Sequence, residues 1–147
     1  MDEADIVLRN VTYRLFAELG RAPTTNDVAA YMGSSAAEVR AGWERLHRAH
    51  ALVLDAATHE IRMANPFSAV ATAHRVQVSN RWWYANCGWD AFGICAAFDA
   101  NGRIESSCPD CGDLLEIRVQ DRQPSDQSLL FHCLVSASRW WDNIVFT

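Results

Sequence analysis

The stretch Arg81-Trp-Trp-Tyr-Ala-Asn-Cys-Gly-Trp-Asp-Ala-Phe-Gly-Ile-Cys-Ala-Ala-Phe98 constrains the fold most. A short aromatic run suited to a strand passes directly into a small, apolar run suited to a buried helix. The pattern predicts a strand over 81–85, an N-cap at Asn86 or Cys87, and a helix continuing to Phe98. Cys87 and Asp90, three residues apart, then share one helix face. The free N–H groups and dipole of a first helical turn favour negative charge, so Cys87 is expected to have a lowered pKa and a nucleophilic, metal-binding thiolate. Asp90, beside that thiolate and partly buried, is expected to hold its proton toward neutral pH and to deliver it to a group bound at Cys87. The competing reading is purely structural, with Asp90 complementing the dipole and Cys87 filling space as a small hydrophobe.

The 147 residues are half hydrophobic, which suits one domain or two small ones with a sizeable core. No apolar run approaches the roughly 20 residues of a membrane span. The acidic start Met1-Asp-Glu-Ala-Asp5 lacks the basic region and cleavage pattern of a secretory signal, so no membrane is expected and the expected compartment is the cytoplasm. Five cysteines, an odd number, then read as thiols or metal ligands rather than as a disulfide framework.

Residues 1–64 read as one unit. Ile6, Leu8, Val11, Leu15, Phe16 and Leu19 recur at mostly helical spacing before Gly20, a short second helix precedes Gly33, and Ser35-Ala-Ala-Glu38 has capping-box spacing for a third helix running to about His50. Ala51 to Leu54 and Glu60 to Ala64 read as two strands joined by a turn, which completes a winged-helix pattern. A winged helix invites a nucleic-acid partner, but seven arginines face nine acidic residues between Met1 and Ala64. Phosphate contacts require a basic patch, so nucleic acid is not the expected partner. Trp43 and Leu46 are expected in the core, and His47, His50 and His59 at the surface. Residues 65–147 form the second unit, joined at Asn65-Pro66. Strands are predicted over His74 to Val78, Arg103 to Ser107, Leu114 to Val119 and Leu129 to Val135, so the whole chain is α+β.

Cys108-Pro-Asp-Cys111-Gly admits three readings: a tight turn with reduced thiols, half of a structural zinc site, or a redox pair. A closed zinc site needs four ligands, and His132 and Cys133, the nearby candidates, point to opposite faces if they lie on a strand. The tight turn is the leading reading.

Several motifs together resemble the organomercurial (alkylmercury) lyase family: Asn65-Pro-Phe-Ser-Ala-Val, Tyr84-Ala-Asn-Cys-Gly-Trp-Asp-Ala-Phe-Gly-Ile, Ser106-Ser-Cys-Pro and Arg139-Trp-Trp-Asp-Asn-Ile-Val-Phe-Thr147. The first half is similar to that family's N-terminal winged-helix-like domain. The resemblance implies a small helical domain packed on an α+β catalytic core, in which two cysteines and an aspartate break a carbon–mercury bond to give hydrocarbon and Hg(II). Cys87 and Asp90 match the first cysteine and the aspartate. It implies no required cofactor, Hg(II) as bound product, and organomercurials or other soft-metal ligands, with small cellular thiols, as partners. Trp89, Tyr84 and Phe98 are candidates for the wall around the organic group. The family's second catalytic cysteine lies just beyond the segment matching Ile144 to Thr147, where this sequence stops, so a truncated lyase or a divergent member that binds without cleaving is expected. Cys95 is no substitute in a regular helix. It is about 12 Å along the axis from Cys87, whereas sulfurs sharing an ion sit on the order of 4 Å apart. A non-catalytic metal- or thiol-reactive binding protein and a winged-helix regulator remain the alternatives.

Overall fold

A computed structural model describes residues 1–145; Phe146 and Thr147, the end of the last motif, lie outside the described residues. Three helices open the chain: α1 (Glu3–Leu19), α2 (Thr25–Met32) and α3 (Ala36–Arg48). Asp2 caps the first, and Thr24 with Asp27 and Ser35 with Glu38 form capping boxes on the others. α1 and α2 end at Gly20 and Gly33 in the left-handed conformation. Trp43 and Leu46 are fully buried, as their spacing predicts. The Trp43 indole N–H donates to Thr12 Oγ1 at 3.0 Å, and the Thr12 hydroxyl donates to the Leu8 carbonyl at 2.8 Å, so α1 and α3 are joined by a satisfied polar link inside an apolar interface.

The strands are β1 (Val53–Leu54), β2 (Ile61–Ala64), β3 (Phe67–Ser68), β4 (Arg75–Val78), β5 (Arg81–Ala85), β6 (Gly102–Ser107), β7 (Leu114–Gln120) and β8 (Gln123–Pro124). They form a single antiparallel sheet in the order β1-β2-β3-β5-β4-β6-β7-β8. Met63 pairs with Ser68 and Ala64 with Phe67 around the Asn65-Pro66 turn, so the sheet runs unbroken from the hairpin of the first half into the second. One apolar cluster extends from Leu8 and Trp43 through Phe67 and Trp83 to Ile117. The chain is α+β, as the sequence predicts.

Helix α4 (Gly88–Ala97) lies on β4, β5 and β6 and buries Ala91, Ile94 and Cys95. Its placement depends on Gly93, where a Cβ would come within 3.0 Å of the Pro66 ring; glycine lets the β2–β3 turn press onto the helix. Trp83 of β5 packs on Phe98 at 4.8 Å between ring centroids, and its indole N–H donates to the Phe16 carbonyl at 3.1 Å.

Two expectations fail beyond β7. Residues 129–135, predicted as a strand, adopt no regular structure. Leu130 is 95% and Leu134 76% exposed, and among the described residues no strand pairs with the segment, so both the burial and the ladder that its composition predicts are missing. The short β8 was not anticipated. It returns from β7 through Asp121 and Arg122, both at positive φ (49° and 64°), the backbone of a tight hairpin turn without its usual Asn-Gly signature. Arg122 is held there by two hydrogen bonds to Asp99 Oδ1, at 2.7 and 3.0 Å. After the covering segment, a 3₁₀ helix (Ala137–Asp142) docks back on the first half, where Trp141 stacks on His50 with centroids 4.1 Å apart.

Replacing Thr12 with Val keeps the shape but strips the buried indole N–H of its acceptor. Thr12→Val is expected to lower unfolding stability by about 1–3 kcal/mol, with Thr12→Ser much closer to the parent. Urea denaturation measures it, and an unchanged midpoint in Thr12→Val would contradict the role of this link.

Candidate active site

Where β5 ends, the chain turns through Asn86 and enters α4 with Cys87 as N-cap in extended backbone (φ −149°, ψ 178°). This junction forms the floor of a cavity of about 320 Å³. Cys87, Asn86 and Asp90 line it, with His74 from the start of β4 and Met63 and Asn65 from the β2 side. Phe131, His132, Cys133, Leu134 and Val135 of the covering segment form the opposite wall, continued by Trp140 and Ile144. The segment that failed as a strand therefore acts as the cavity's cover. Its Trp140 indole N–H donates to the Val135 carbonyl at 2.8 Å, and the Cys133 thiol donates to the same carbonyl at 2.9 Å.

Asp90 is tethered. Asn86 Nδ2 donates to its carboxylate at 2.9 Å and approaches Asn65 Oδ1 at 3.1 Å and the Phe67 carbonyl at 3.3 Å. The carboxyl is thus fixed relative to both the helix and the β2–β3 turn. Burial raises its pKa above the ordinary aspartate value, against the Asn86 hydrogen bond and the nearby His74, which lower it. The shift runs in the direction the sequence predicts. His74 sits half-buried with Nδ1 2.7 Å from Ser106 Oγ; burial lowers its pKa, and the Asp90 charge acts in the opposite sense. The imidazole is therefore held toward its neutral form.

Cys87 departs from expectation. Burial pushes its thiol above the ordinary value; the N–H groups of Asp90 and Trp89 pull it down, while the Asp90 charge and Cys133 add to the rise. The helix start acts in the predicted direction, and burial outweighs it. Cys108 is the lowered thiol: the N–H groups of Cys111 and Asp110, with the Cys111 side chain, favour its thiolate.

The remaining candidates divide. Trp89 lines the cavity, with its ring 6.0 Å from Phe131. Tyr84 and Phe98 do not line it: Tyr84 sits at the surface of β5, and Phe98 packs in the core against Trp83 and Phe67. Cys95 is buried between α4 and the sheet, against Gly102 of β6, and does not line the cavity. Cys108 and Cys111 are outside the cavity, although Pro109 between them contributes to its wall. His132 and Cys133 face the cavity with Cys87, and among the described residues no group of three or more His, Cys, Asp or Glu side chains could hold a metal ion. Sequence reasoning missed His74, which looked like the first residue of an alternating strand. Cys133, one of three thiols (with Cys108 and Cys111) that only a tertiary contact could bring to Cys87, lines the same cavity, and the 129–135 segment carries no local signal for it.

A thiol, a carboxyl whose pKa is raised by burial and a second thiol line one small cavity. The alkylmercury lyase family model matches residues 67–147, and the chain belongs to that family. The fold agrees with the crystal structure of the mercury-bound form of MerB2, with a TM-score of 0.65 at 21% identity over 86% of this chain. The chain spans 60% of the length of that protein. No curated protein matches it by sequence.

Because the Cys108 thiolate is favoured and that of Cys87 is not, brief iodoacetamide treatment at pH 7 should label Cys108 ahead of Cys87. Peptide mapping reads the order, and preferential labelling of Cys87 would show that the helix start outweighs burial after all.

Proposed function

We propose that the chain is an organomercurial lyase that captures R–Hg–X at Cys87 and cleaves the carbon–mercury bond by protonation from Asp90. The observation that carries the reading is the meeting of these two side chains in one cavity with the carboxyl held toward its protonated form. The Cys87 thiol loses its proton as sulfur displaces X from mercury, a soft metal matched to a soft ligand. The raised thiol pKa makes capture faster at higher pH, whereas Asp90 serves as acid only below its own pKa. The two demands define an intermediate working range. A second thiolate on mercury pushes electron density toward carbon; the C–Hg bonding pair takes the Asp90 proton, giving R–H, a carboxylate and Hg(II) on sulfur. Cys133 is the second cavity-lining thiol among the described residues and is placed to serve as that ligand, with a small cellular thiol able to stand in for it. Trp89 and Phe131 offer an apolar wall, and the cavity volume suits a small R, from methyl to phenyl.

The three helices and the β1–β2 hairpin have the element order of a winged helix, and we read this unit (1–64) as a support for the 65–147 core rather than as a nucleic-acid reader. In favour of that reading, Arg45 of α3 is engaged with the buried Asp5 at 2.8 Å, Arg40 lies 4.0 Å from Glu60, and His59 lies 3.4 Å from Glu44. Among the described residues no helix is long and apolar enough to cross a membrane. All five cysteines are free, which fits a reducing compartment such as the cytoplasm.

Benzene release from phenylmercury acetate tests the reading. Cys87→Ser should lose phenylmercury binding in the cavity, and with it benzene release. Asp90→Asn should retain binding and lose release by about 10²–10⁴-fold, the usual contribution of a positioned acid. Equal release from parent and Cys87→Ser would sink the assignment, and a parent that binds phenylmercury but releases no more benzene than Asp90→Asn would make the chain a binding protein.

A further inference from the structure

The reaction proposed above leaves Hg(II) on a buried thiolate, and the chain carries a second pair of thiols beside that cavity. Cys108 and Cys111 bracket a tight turn closed by two backbone hydrogen bonds, Cys108 N–H to the Asp113 carbonyl at 2.9 Å and Gly112 N–H to the Cys108 carbonyl at 2.9 Å. Gly112 sits at φ 78°, a left-handed position that glycine adopts without strain. The two thiols are close enough for each to influence the other's ionisation. Cys111 is exposed and Cys108 partly so. Pro109, between them, lines the Cys87 cavity, and Ser106, two residues before Cys108, contacts His74 on the cavity wall.

We propose that Cys108 and Cys111 form a second soft-metal site, a two-coordinate dithiolate at the cavity rim that receives Hg(II) after the carbon–mercury bond is broken. The donor count selects the metal. Zinc in a structural site needs four ligands, and among the described residues no third His, Cys, Asp or Glu joins this pair in a metal-binding group. Mercury(II) is content with two thiolates. The transfer is a ligand exchange without redox change. Cys108, held beside Cys111 by the closed turn, loses its proton, attacks mercury and displaces one cavity ligand. Cys111 then gives up its proton and displaces Cys87. Two Hg–S bonds form and two break, and the two protons lost by Cys108 and Cys111 are taken up by the two displaced groups. Moving the ion from a half-buried to an exposed pair frees the cavity for another substrate and presents mercury to outside thiols.

The inference rests on the lyase reading for its source of Hg(II), but the site is testable without it. The pre-reduced full chain carrying Cys87→Ser is mixed with mercuric chloride and an excess of 2-mercaptoethanol, which strips singly held metal, then desalted and assayed for mercury. One equivalent should remain, and adding either Cys108→Ser or Cys111→Ser should reduce it at least tenfold. Retention by either single addition, or retention of zinc from zinc chloride by the same chain, would overturn the two-coordinate site. Transfer is read separately, after one turnover of phenylmercury by the parent, by mass spectrometry of tryptic peptides. Mercury should ride on the peptide 104–118, which holds Cys108 and Cys111; mercury left on 82–103, with Cys87, would overturn the transfer while leaving the lyase reading intact. Absence of benzene would strike the lyase reading alone, the mercuric chloride result still deciding the site.

Discussion

The anchoring of Trp83 holds the molecule's two halves and its site in one frame. Its indole donates to the last turn of α1, and its ring meets Phe98 at the end of α4 and Phe67 of β3. Phe67 in turn stacks on Phe16 at 5.3 Å. Because β5 lies inside the sheet between β3 and β4, it cannot slide without breaking both ladders. The strand end that presents Asn86 and Cys87 is therefore fixed by interactions on the far side of the core from the cavity. Asn86, at that end, then fixes Asp90.

With position settled, burial decides the chemistry. A helix terminus is worth about 0.3–1 kcal/mol to a nearby charge, less than one pKa unit, whereas full burial moves a group by up to about 3–5 units. Partial burial already suffices to reverse the influence of the helix start on Cys87. The same burial shifts Asp90 toward its protonated form. An enclosed cavity thus favours the acid and disfavours the free thiolate, a combination suited to a ligand that itself drives off the thiol proton. At the exposed Cys108 turn there is little burial to oppose the backbone N–H groups, and the order reverses.

Much of this was legible in the sequence. Capping-box spacing at Ser35, glycines at 20 and 33, and the aromatic-to-apolar switch at 85–88 report local backbone chemistry, and each element formed where that chemistry placed it. Cys87 and Asp90 were found together for the same reason, since three residues on one helix fix their relation. What sequence could not supply was long-range. The 129–135 segment has the composition of a strand, but among the described residues no edge receives it, and Phe131, Leu134 and Val135 line the cavity instead. Cys133 reaches Cys87's cavity across more than forty residues of chain with no periodicity to announce it. The sign of the Cys87 shift is set by burial, which a local reading of the helix start does not register.

The central claim is that Asp90 carries a proton where an ordinary aspartate would have lost it. Carbon-13 NMR of the labelled Asp90 carboxyl, assigned by comparison with Asp90→Asn and followed through a pH titration of the free chain, reads this directly. The account predicts a midpoint clearly above the usual aspartate value of about 3.9. A midpoint at or below that value would mean that the Asn86 hydrogen bond and His74 outweigh burial, and that Asp90 is a carboxylate with no proton to give.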